Sequence, residues 1–430
     1  MTDSLVVIME GSVVGTLVRS GGGRLRFDYD EGHRTQLHAS PLSLSMPTQI
    51  RSHPDAVITP WLWGLLPDND LVLSRWAREF HVSASSPFSL LSTPIGRDCA
   101  GAVQFVSSSE VEAVLKGSGH VTWLSEDDVA QRLRELRQDS TAWLGKNFSG
   151  QFSLAGAQAK TALLFKDGRW GVPSGSTPTT HILKPAVAGL DDHDLNEHLC
   201  LDAARRAGLL AVRTSVHHFG EESAVIVERY DRFLREDQVV RIHQEDFCQA
   251  LGVVPSKKYQ NEGGPGPLDM VELLRGAMSQ SVAEAAVGHF VDALIWNWLI
   301  AGTDAHAKNY SLLLAGDEIR LAPLYDVASA LPYGAHEKKL RLAMKIGDDY
   351  EVYPARNNWP KLSRQLGLDA DALRDRVLEL GRIAPDAFAE AASRPDVRAL
   401  RRPITSELVH LVAERASRCV QLMNNSGPSN

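Results

Sequence analysis

The chain has 430 residues, 43% of them hydrophobic and 23% charged, and its formal net charge is −8 at pH 7. This length is too great for one ordinary hydrophobic core and predicts two or three domains of a globular protein. The negative charge argues against a protein that binds DNA through its overall electrostatic field, although it allows a local basic patch. Four scattered cysteines without a CxxC pair indicate neither a disulfide framework nor a zinc site.

The sequence also lacks the signals of a secreted or membrane protein. The first residues, MTDSLVV, carry an acidic residue where a signal peptide needs positive charge. The longest apolar stretch, residues 290–301, is interrupted by Asp292 and Asn297 and is too short to cross a bilayer. We therefore expect a cytoplasmic protein without membrane association, in which this stretch forms a buried helix.

Residues 1–108 form the first predicted segment, a β-rich unit. Its short alternating runs are separated by glycine pairs, which is typical of hairpins. Residues 61–80 add a helical part that the turn LLPDND divides. A connecting segment, residues 109–150, contains a helix that begins after Ser125, a favourable N-cap, with acidic residues in its first turn.

Residues 151–243 form a third segment, in which the period of strands returns. TALLFKDGRWGV predicts a hairpin around a Lys-Asp-Gly turn, and residues 180–184 and 223–232 predict two further strands. Between these strands, residues 194–209 predict an amphipathic helix with Gly208 at its end.

Residues 244–430 form the last predicted segment, which is mainly helical. One hairpin interrupts it, within the string YSLLLAGDEIRLAPLYDV. The string GGPG at residues 263–266 predicts a loop before a helix that starts at Pro267. The polar tail, residues 424–430, is expected to be disordered.

The strongest chemical signal lies in residues 301–327, AGTDAHAKNYSLLLAGDEIRLAPLYDV. Asp304 directly follows the apolar helix, Asn309 comes five residues later, and the hairpin delivers Asp326 at its far end. Phosphoryl transfer needs a carboxylate near the acceptor hydroxyl and oxygen ligands for Mg²⁺, and protein kinases supply them with this spacing. Each aspartate alone is as well explained as a turn or capping residue, but the three residues together predict a kinase site.

A second signal lies upstream and has the order found in kinases. AGAQAKT, residues 155–161, is a small-residue loop before a strand, which lets backbone N–H groups approach phosphate oxygens. Lys184 ends a strand and Glu197 lies on the next helix, as in the lysine–glutamate pair that holds the α- and β-phosphates in kinases. Alone, the loop also fits a plain turn and the lysine a solvated edge residue. Neither an HRD nor a DFG string is present.

Together these residues and several longer strings resemble the HipA toxins of bacterial HipBA modules. The resemblance extends over about residues 5–345 in the family's order, whereas the C-terminal part is similar only as a helical bundle. The strings are PLSLSMP (41–47), LLPDN (65–69), GRDCAGAV (96–103), SLAGAQAKTALL (153–164), THILK (180–184), NEHLC (196–200), VERYDR (227–232), QEDFCQALG (244–252), KYQNEGGPG (258–266), LIAGTDAHAKN (299–309) and PLYDV (323–327).

The resemblance implies an α+β, protein-kinase-like fold of two lobes, with a β-rich N-terminal part and a mainly helical C-terminal lobe. It implies a serine/threonine-protein kinase that uses ATP and Mg²⁺. Its partner would be a small helix-turn-helix antitoxin, through which the pair would reach operator DNA as a co-repressor. Its substrate would be an aminoacyl-tRNA synthetase, and its activity would inhibit translation and cause growth arrest and persistence.

The resemblance also implies roles for individual residues. Asp304 would be the catalytic base, with Asn309, Asp326 and Lys184 completing the catalytic set and Asn309 and Asp326 holding the metal. Ser153 would be the autophosphorylated residue. The nucleotide contacts would be Ala155, Gly156, Ala157, Gln158, Ala159, Lys160, Lys184, Glu228, Arg229, Tyr230, His306, Ala307, Lys308, Asn309, Tyr325 and Asp326.

One departure from the family and two other functions stay open. Ala305 replaces a glycine often found after the catalytic aspartate, so the loop conformation is expected to differ there if that position needs a positive φ. An inactive kinase fold that serves only as a co-repressor is one alternative. A phosphotransferase for small molecules, which shares the Asp-x4-Asn pattern, is the other.

Overall fold

A computed structural model describes residues 3–145, 150–187, 189–236, 238–334, 336–353 and 357–425. The described residues form a mixed α/β structure with five β-sheets. The strands are β1 (Asp3–Met9), β2 (Ser12–Arg19), β3 (Leu25–Tyr29), β4 (Ser52–Pro54), β5 (Gln104–Val106), β6 (Gly119–Leu124), β7 (Thr161–Lys166), β8 (Arg169–Gly175), β9 (His181–Lys184), β10 (Thr214–Phe219), β11 (Glu222–Glu228), β12 (Arg232–Arg235), β13 (Gln238–Arg241), β14 (His243–Asp246), β15 (Ser311–Ala315), β16 (Glu318–Leu321), β17 (Arg341–Ile346) and β18 (Asp349–Glu351).

Most of the α-helices lie in segments predicted from the sequence. None of the described helices is both long and apolar enough to span a bilayer. The helix predicted after Ser125 is confirmed, with Ser125 and Asp128 forming a reciprocal capping box. The α-helices are α1 (Glu31–Arg34), α2 (Asp55–Gly64), α3 (Asp70–Glu79), α4 (Pro87–Leu91), α5 (Val111–Leu115), α6 (Glu126–Gln138), α7 (His193–Arg206), α8 (Phe247–Ala250), α9 (Pro267–Ala277), α10 (Gln280–Ile300), α11 (Trp359–Leu366), α12 (Ala370–Ser393), α13 (Pro395–Ala399) and α14 (Ile404–Asn425).

The chain folds into two compact units, each built from discontinuous segments. Because β14 and the β15–β16 hairpin lie mainly in unit 1, the units cut across the predicted segment 244–430. Unit 1 comprises Met1–Pro185, His218–Ser256 and Ser311–Arg320, and unit 2 comprises Ala186–His217, Lys257–Tyr310 and Leu321–Asn430.

The N-terminal part of unit 1 is a five-stranded antiparallel sheet in the order β4-β3-β2-β1-β5. Its apolar face packs against α2, α3 and α4, and Phe27, Trp61 and Trp76 are fully buried in this core. Along β3 every second residue is buried, which lets one face of the strand be covered while the other stays more exposed.

The second sheet contains the strands that the kinase interpretation requires, and within it β11, β9, β7, β8 and β6 are neighbours in that order. The predicted hairpin between β7 and β8 is confirmed, and Asp167 and Gly168 at its turn have φ of 51° and 73°, as a type I′ turn needs. Helix α6 covers one face, where Leu133 packs with Leu163 and Leu183. Lys184 shares the opposite face with its partner in β11, Val225, because paired residues point the same way.

Unit 2 is mainly helical, with α7, α10, α12 and α14 packed on one another. Trp296 stacks on Phe388 with ring centroids 5.8 Å apart, and Trp298 meets Trp359 edge-to-face at 5.4 Å. The prediction that residues 290–301 form a buried helix is confirmed, since they lie at the buried end of α10. Arg415 is fully buried, donates to the carbonyl oxygen of Trp298 at 2.7 Å and forms an ion pair with Glu337.

Three sequence-based details after residue 244 are corrected by the structure. A second hairpin, β17–β18, adds to the single one predicted, and β14 is a strand that pairs with β15. These strands were missed because each is only three to six residues long and pairs with distant or adjacent short runs. In the tail predicted to be disordered, Asn424 and Asn425 belong to α14, and residues 426–430 lie outside the described ranges.

Candidate active site

The end of α10 determines where Asp304 lies. Ala301 adopts a left-handed conformation, with φ of 55°, and its N–H bonds back into the last turn of the helix. Gly302 then donates to the carbonyl oxygen of Asn297 at 2.7 Å, and a Cβ atom at Gly302 would come within 2.3 Å of the Asn297 Oδ1 atom. The glycine is therefore needed for close approach, and the positive φ is carried by the alanine before it.

The loop from Asp304 to Asn309 is held by its own polar groups. The backbone N–H of His306 donates to the carbonyl oxygen of Asp304 at 2.9 Å, and the Asn309 Nδ2 atom donates to the same oxygen at 2.7 Å. Since the amide nitrogen of Asn309 is engaged in the loop, its Oδ1 atom is the one suited to bind a cation. Ala305 has no positive φ, so its Cβ atom causes no backbone strain in this loop.

Tyr259 contacts the predicted base, and the sequence reasoning did not assign it a role. Its hydroxyl donates to the Oδ1 atom of Asp304 at 2.6 Å. Its ring meets the ring of His306 edge-to-face, with centroids 4.9 Å apart and planes at 81°. The Asp304 side chain is 68% exposed, whereas the His306 side chain is 5% exposed and has its Nε2 atom 4.0 Å from the same Oδ1. The string KYQNEGGPG contains Tyr259, but nothing in its spacing indicates a partner 45 residues away.

Asp326 follows the β15–β16 hairpin, as predicted, and has a strained backbone. Its φ is 57°, a conformation that non-glycine residues adopt rarely and that is common at functional sites. The hydroxyl of the preceding residue, Tyr325, donates to the carbonyl oxygen of Lys308 at 2.7 Å. This bond joins the residue before Asp326 to the residue before Asn309, the two predicted metal ligands.

Asn196 on α7 holds the segment that follows Asp326, and it too was missed from the sequence. Its Nδ2 atom donates to the carbonyl oxygen of Ser329 at 2.8 Å, and its Oδ1 atom accepts from the N–H of Ser329 at 2.9 Å. The Ser329 hydroxyl in turn donates to the carbonyl oxygen of Ile300 at 2.6 Å. Because Asn196 is fully buried, this bidentate contact fixes the segment without competition from water.

In unit 1, the predicted phosphate-binding loop is packed against the string LLPDN. The Ser153 hydroxyl is fully buried and donates to the carbonyl oxygen of Leu65 at 2.7 Å, and the N–H of Asp68 donates to the carbonyl oxygen of Gly156 at 3.0 Å. The Lys160 ammonium donates to the carbonyl oxygen of Ala155 at 2.9 Å. Gly156 has a φ of 99°, which requires glycine. A turn of this kind with an ammonium beneath it suits an anionic ligand.

The predicted nucleotide contacts of Glu228 and Arg229 are limited by where their side chains lie. Glu228 pairs with His181, so strand alternation puts it on the face of the sheet opposite Lys184. The guanidinium of Arg229 is buried and donates to Asp231 at 2.7 Å and to Asp98 at 3.3 Å. Any contact of these two residues with a nucleotide on the Lys184 face must therefore come from their backbone.

Asp98 forms the centre of a buried charge network in unit 1. Its carboxylate accepts from Arg232 at 2.9 Å and from Arg241 at 3.1 Å, in addition to Arg229. Burial raises the pKa of Asp98, but the three guanidinium groups outweigh burial and hold the pKa below its usual value. Tyr230, next to Arg229, donates its hydroxyl to the side chain of Gln244. The side chain of Arg229, a predicted nucleotide contact, is thus part of a structural network.

The roles predicted for the other site residues stay predictions. Lys184 is 6% exposed in unit 1 and Glu197 is 1% exposed in unit 2, and their pairing stays a prediction. Among the described residues, no three His, Cys, Asp or Glu side chains form a metal cluster. The pair Asn309 and Asp326 offers oxygen ligands, which fits Mg²⁺, since this ion is bound through one or two carboxylates together with phosphate oxygens.

Two domain families match the chain. Residues 152–388 match the HipA-like C-terminal domain, and residues 5–106 match the HipA N-terminal domain.

Relatives and a solved structure give the same result. A putative kinase, Y4mE, of Sinorhizobium fredii is 34% identical over 394 residues, which cover 91% of both proteins. The serine/threonine-protein kinase toxin HipA of Shewanella oneidensis is 30% identical over 349 residues, 77% of both. The structure is also similar to a chain in the solved complex of HipA, HipB and operator DNA from Shewanella oneidensis MR-1. The superposition covers 98% of each of the two chains, with a TM-score of 0.82 and 24% sequence identity. The predicted α+β, kinase-like fold is thereby confirmed.

The fold and the residues around Asp304 define a kinase. The chain belongs to the HipA family of serine/threonine-protein kinases.

Proposed function

We propose that this chain is the toxin of a toxin–antitoxin pair and transfers the γ-phosphate of Mg·ATP to a serine or threonine of a protein. The observation that carries the proposal is the bond from Tyr325 to Lys308, which joins the Asp326 segment to the Asp304–Asn309 loop. Phosphoryl transfer requires that a protein supply a base for the acceptor hydroxyl and oxygen ligands for Mg²⁺ on linked segments.

In this mechanism the protein's side chains hold the acceptor hydroxyl and the phosphates in place, and one of them accepts a proton. The Asp304 carboxylate accepts the proton of the acceptor hydroxyl, whose oxygen bonds to the γ-phosphorus as the bond to the β-phosphate oxygen breaks and ADP leaves. Asn309 and Asp326 would hold Mg²⁺, which when bound neutralises charge on the phosphate oxygens. The loop of residues 155–160, together with Lys184, would bind the phosphates.

The proposed partners and location follow from the relatives. The Shewanella oneidensis complex contains HipB and operator DNA, and we propose a helix-turn-helix antitoxin of that kind for this chain, with DNA contacted mainly through the antitoxin. The proposed substrate is an aminoacyl-tRNA synthetase in the cytoplasm, and its phosphorylation would stop translation and produce growth arrest and persistence.

Ser153 is the proposed site of autophosphorylation, and its environment sets a condition on that reaction. The hydroxyl is fully buried and bonded to Leu65. Its phosphorylation therefore requires the segment before the phosphate-binding loop to leave its packed position. The added phosphate, with a charge of about −1.5 to −2, could not return to that site without losing hydration. The modified chain would bind ATP weakly and be switched off.

The test is transfer of ³²P from γ-labelled ATP by the purified chain to synthetases and to itself. We expect Asp304→Asn to lower transfer by at least about a hundredfold while ATP still binds. Asp371→Asn, at an exposed aspartate in the first turn of α12, is the matched control and should keep full activity. Transfer to small alcohols alone would indicate a small-molecule phosphotransferase, and no transfer at all would indicate an inactive co-repressor.

A further inference from the structure

We infer that Tyr259 is a positioning residue that fixes the Asp304 carboxylate for proton transfer, an inference that rests on the proposed kinase function. The Asp304 side chain is 68% exposed, so packing does not hold its rotamer. Among the described residues, the groups facing its carboxylate are the Tyr259 hydroxyl at 2.6 Å and the His306 ring at 4.0 Å, and both face Oδ1. The contact with Tyr259 is a hydrogen bond to a charged acceptor, the stronger kind.

Tyr259 is itself held in place by the loop of residues 257–266. Its carbonyl oxygen accepts from the N–H groups of Glu262 and Gly264, each at 3.0 Å. A Cβ atom at Gly264 would come within 2.0 Å of the carbonyl oxygen of Lys257, so this tight path requires glycine. The Gln260 Oε1 atom accepts from the N–H of Lys345 at 2.7 Å, which joins the loop to β17.

The same loop is bonded to the catalytic loop. The N–H of Ala307 donates to the carbonyl oxygen of Lys258 at 3.3 Å, and the Tyr259 ring packs on His306. Tyr259 and Asp304 therefore lie on two loops that are hydrogen-bonded to each other close to these two residues. A donor held this way keeps its orientation before substrate arrives, which is the condition for preorganised catalysis.

This arrangement assigns different tasks to the two carboxylate oxygens of Asp304. Oδ1 accepts the Tyr259 hydrogen bond, and Oδ2 is left to accept the proton of the acceptor hydroxyl. Tyr259 keeps its own proton throughout, since the proton that moves goes from the acceptor oxygen to Oδ2. The opposite interpretation is that the Tyr259 hydroxyl occupies the place of the acceptor and blocks it. The two interpretations predict opposite changes when the hydroxyl is removed.

The experiment is Tyr259→Phe, which removes the hydroxyl and keeps the ring that packs on His306. We expect kcat to fall about 10- to 100-fold, while KM for ATP and the affinity for Mg·ATP change less than about twofold. In the Asp304→Asn background the same change should cause no further loss, because its effect passes through the carboxylate. The matched control is Tyr350→Phe, in β18, which should leave kcat unchanged.

A higher kcat in Tyr259→Phe would show that the hydroxyl blocks the acceptor, and an unchanged kcat would show that it does nothing; either result overturns the inference. An equal loss in the Asp304→Asn background would also overturn it, since it would indicate a structural role. If the wild-type chain transfers no phosphate, the proposed function fails, and crystal structures then decide the inference alone. Several Asp304 rotamers in Tyr259→Phe would support positioning, and a single unchanged rotamer would reject it.

Discussion

The two charged clusters of this kinase, around Asp98 in unit 1 and around Asp304 in unit 2, are built in opposite ways. Asp98 is fully buried and faces three arginines. Asp304 is 68% exposed and has one tyrosine hydroxyl and one distant histidine beside it. A buried carboxylate whose two oxygens accept from three arginines and from Thr179 can hold a fold together but offers no oxygen to a substrate hydroxyl. The exposed carboxylate, with one oxygen engaged, keeps the capacity to react.

The largest effect is expected from breaking the buried cluster. Asp98→Ala removes a carboxylate that three buried guanidinium groups share, and we expect it to lower the free energy of unfolding by about 3–5 kcal/mol. Asp317→Ala, at an aspartate 66% exposed and paired with His38, is the control and should cost no more than about 1 kcal/mol. Urea denaturation measures both. Equal losses in the two variants would contradict a structural role for the Asp98 network.

The next effect separates metal binding from nucleotide binding. Asp326→Ala should weaken binding of Mg·ATP about a hundredfold, or about 2.7 kcal/mol, because it removes a carboxylate from the proposed metal site. Binding of adenosine should change less than about twofold, since adenosine carries no phosphate. Isothermal titration calorimetry with both ligands tests this. If affinity for both falls equally, Asp326 does not act through the metal.

A third prediction concerns the amide that supports the Asp326 segment. Asn196→Ala leaves the buried N–H and C=O groups of Ser329 without their partner, and we expect a loss of about 1–3 kcal/mol in the free energy of unfolding. Asn358→Ala is the control, because the side chain of Asn358 forms no capping hydrogen bond. Thermal and urea unfolding measure the difference, and a loss no greater than that of the control would remove Asn196 from this supporting role.

A fourth prediction concerns Glu245, a buried acid whose effect is measured per pH unit. Burial raises the pKa of Glu245 to about 8, although its carboxyl accepts from the N–H of Leu44 at 2.8 Å. The folded chain then keeps a proton that the unfolded chain releases above about pH 4.5, so stability falls as pH rises from about 4.5 to 8. The slope is up to about 1.4 kcal/mol per pH unit.

Glu245→Gln should remove this part of the pH dependence, because glutamine does not titrate. Urea unfolding at several pH values compares the two proteins, and a wild-type slope that survives in the variant would contradict the assignment. Glu245, a buried carboxyl without a cation beside it, stays protonated at neutral pH, whereas Asp98, which faces three arginines, stays ionised.

The sequence predicted those parts of the site that depend on local spacing. Asp304, Asn309 and Asp326 lie within one stretch of helix, loop and hairpin, and the β7–β8 turn has its own Asp-Gly signal. Tyr259 could not be predicted, because its partner depends on how two separate segments pack. The buried ion pair of Arg229 could not be predicted for the same reason, since its carboxylate partner Asp98 lies 131 residues away in the sequence.

The segment order of unit 1 also determines when it can fold during synthesis. β14 pairs with β15 from His243↔Leu314 to Asp246↔Ser311, so unit 1 stays incomplete until residues 311–320 have left the ribosome. A nascent domain ordinarily folds as soon as its own segment emerges. Here the N-terminal unit has to wait for 320 of the 430 residues. A ribosome that stops earlier releases a chain with an unpaired strand edge at β14, and proteases and chaperones recognise such edges before any active kinase has formed.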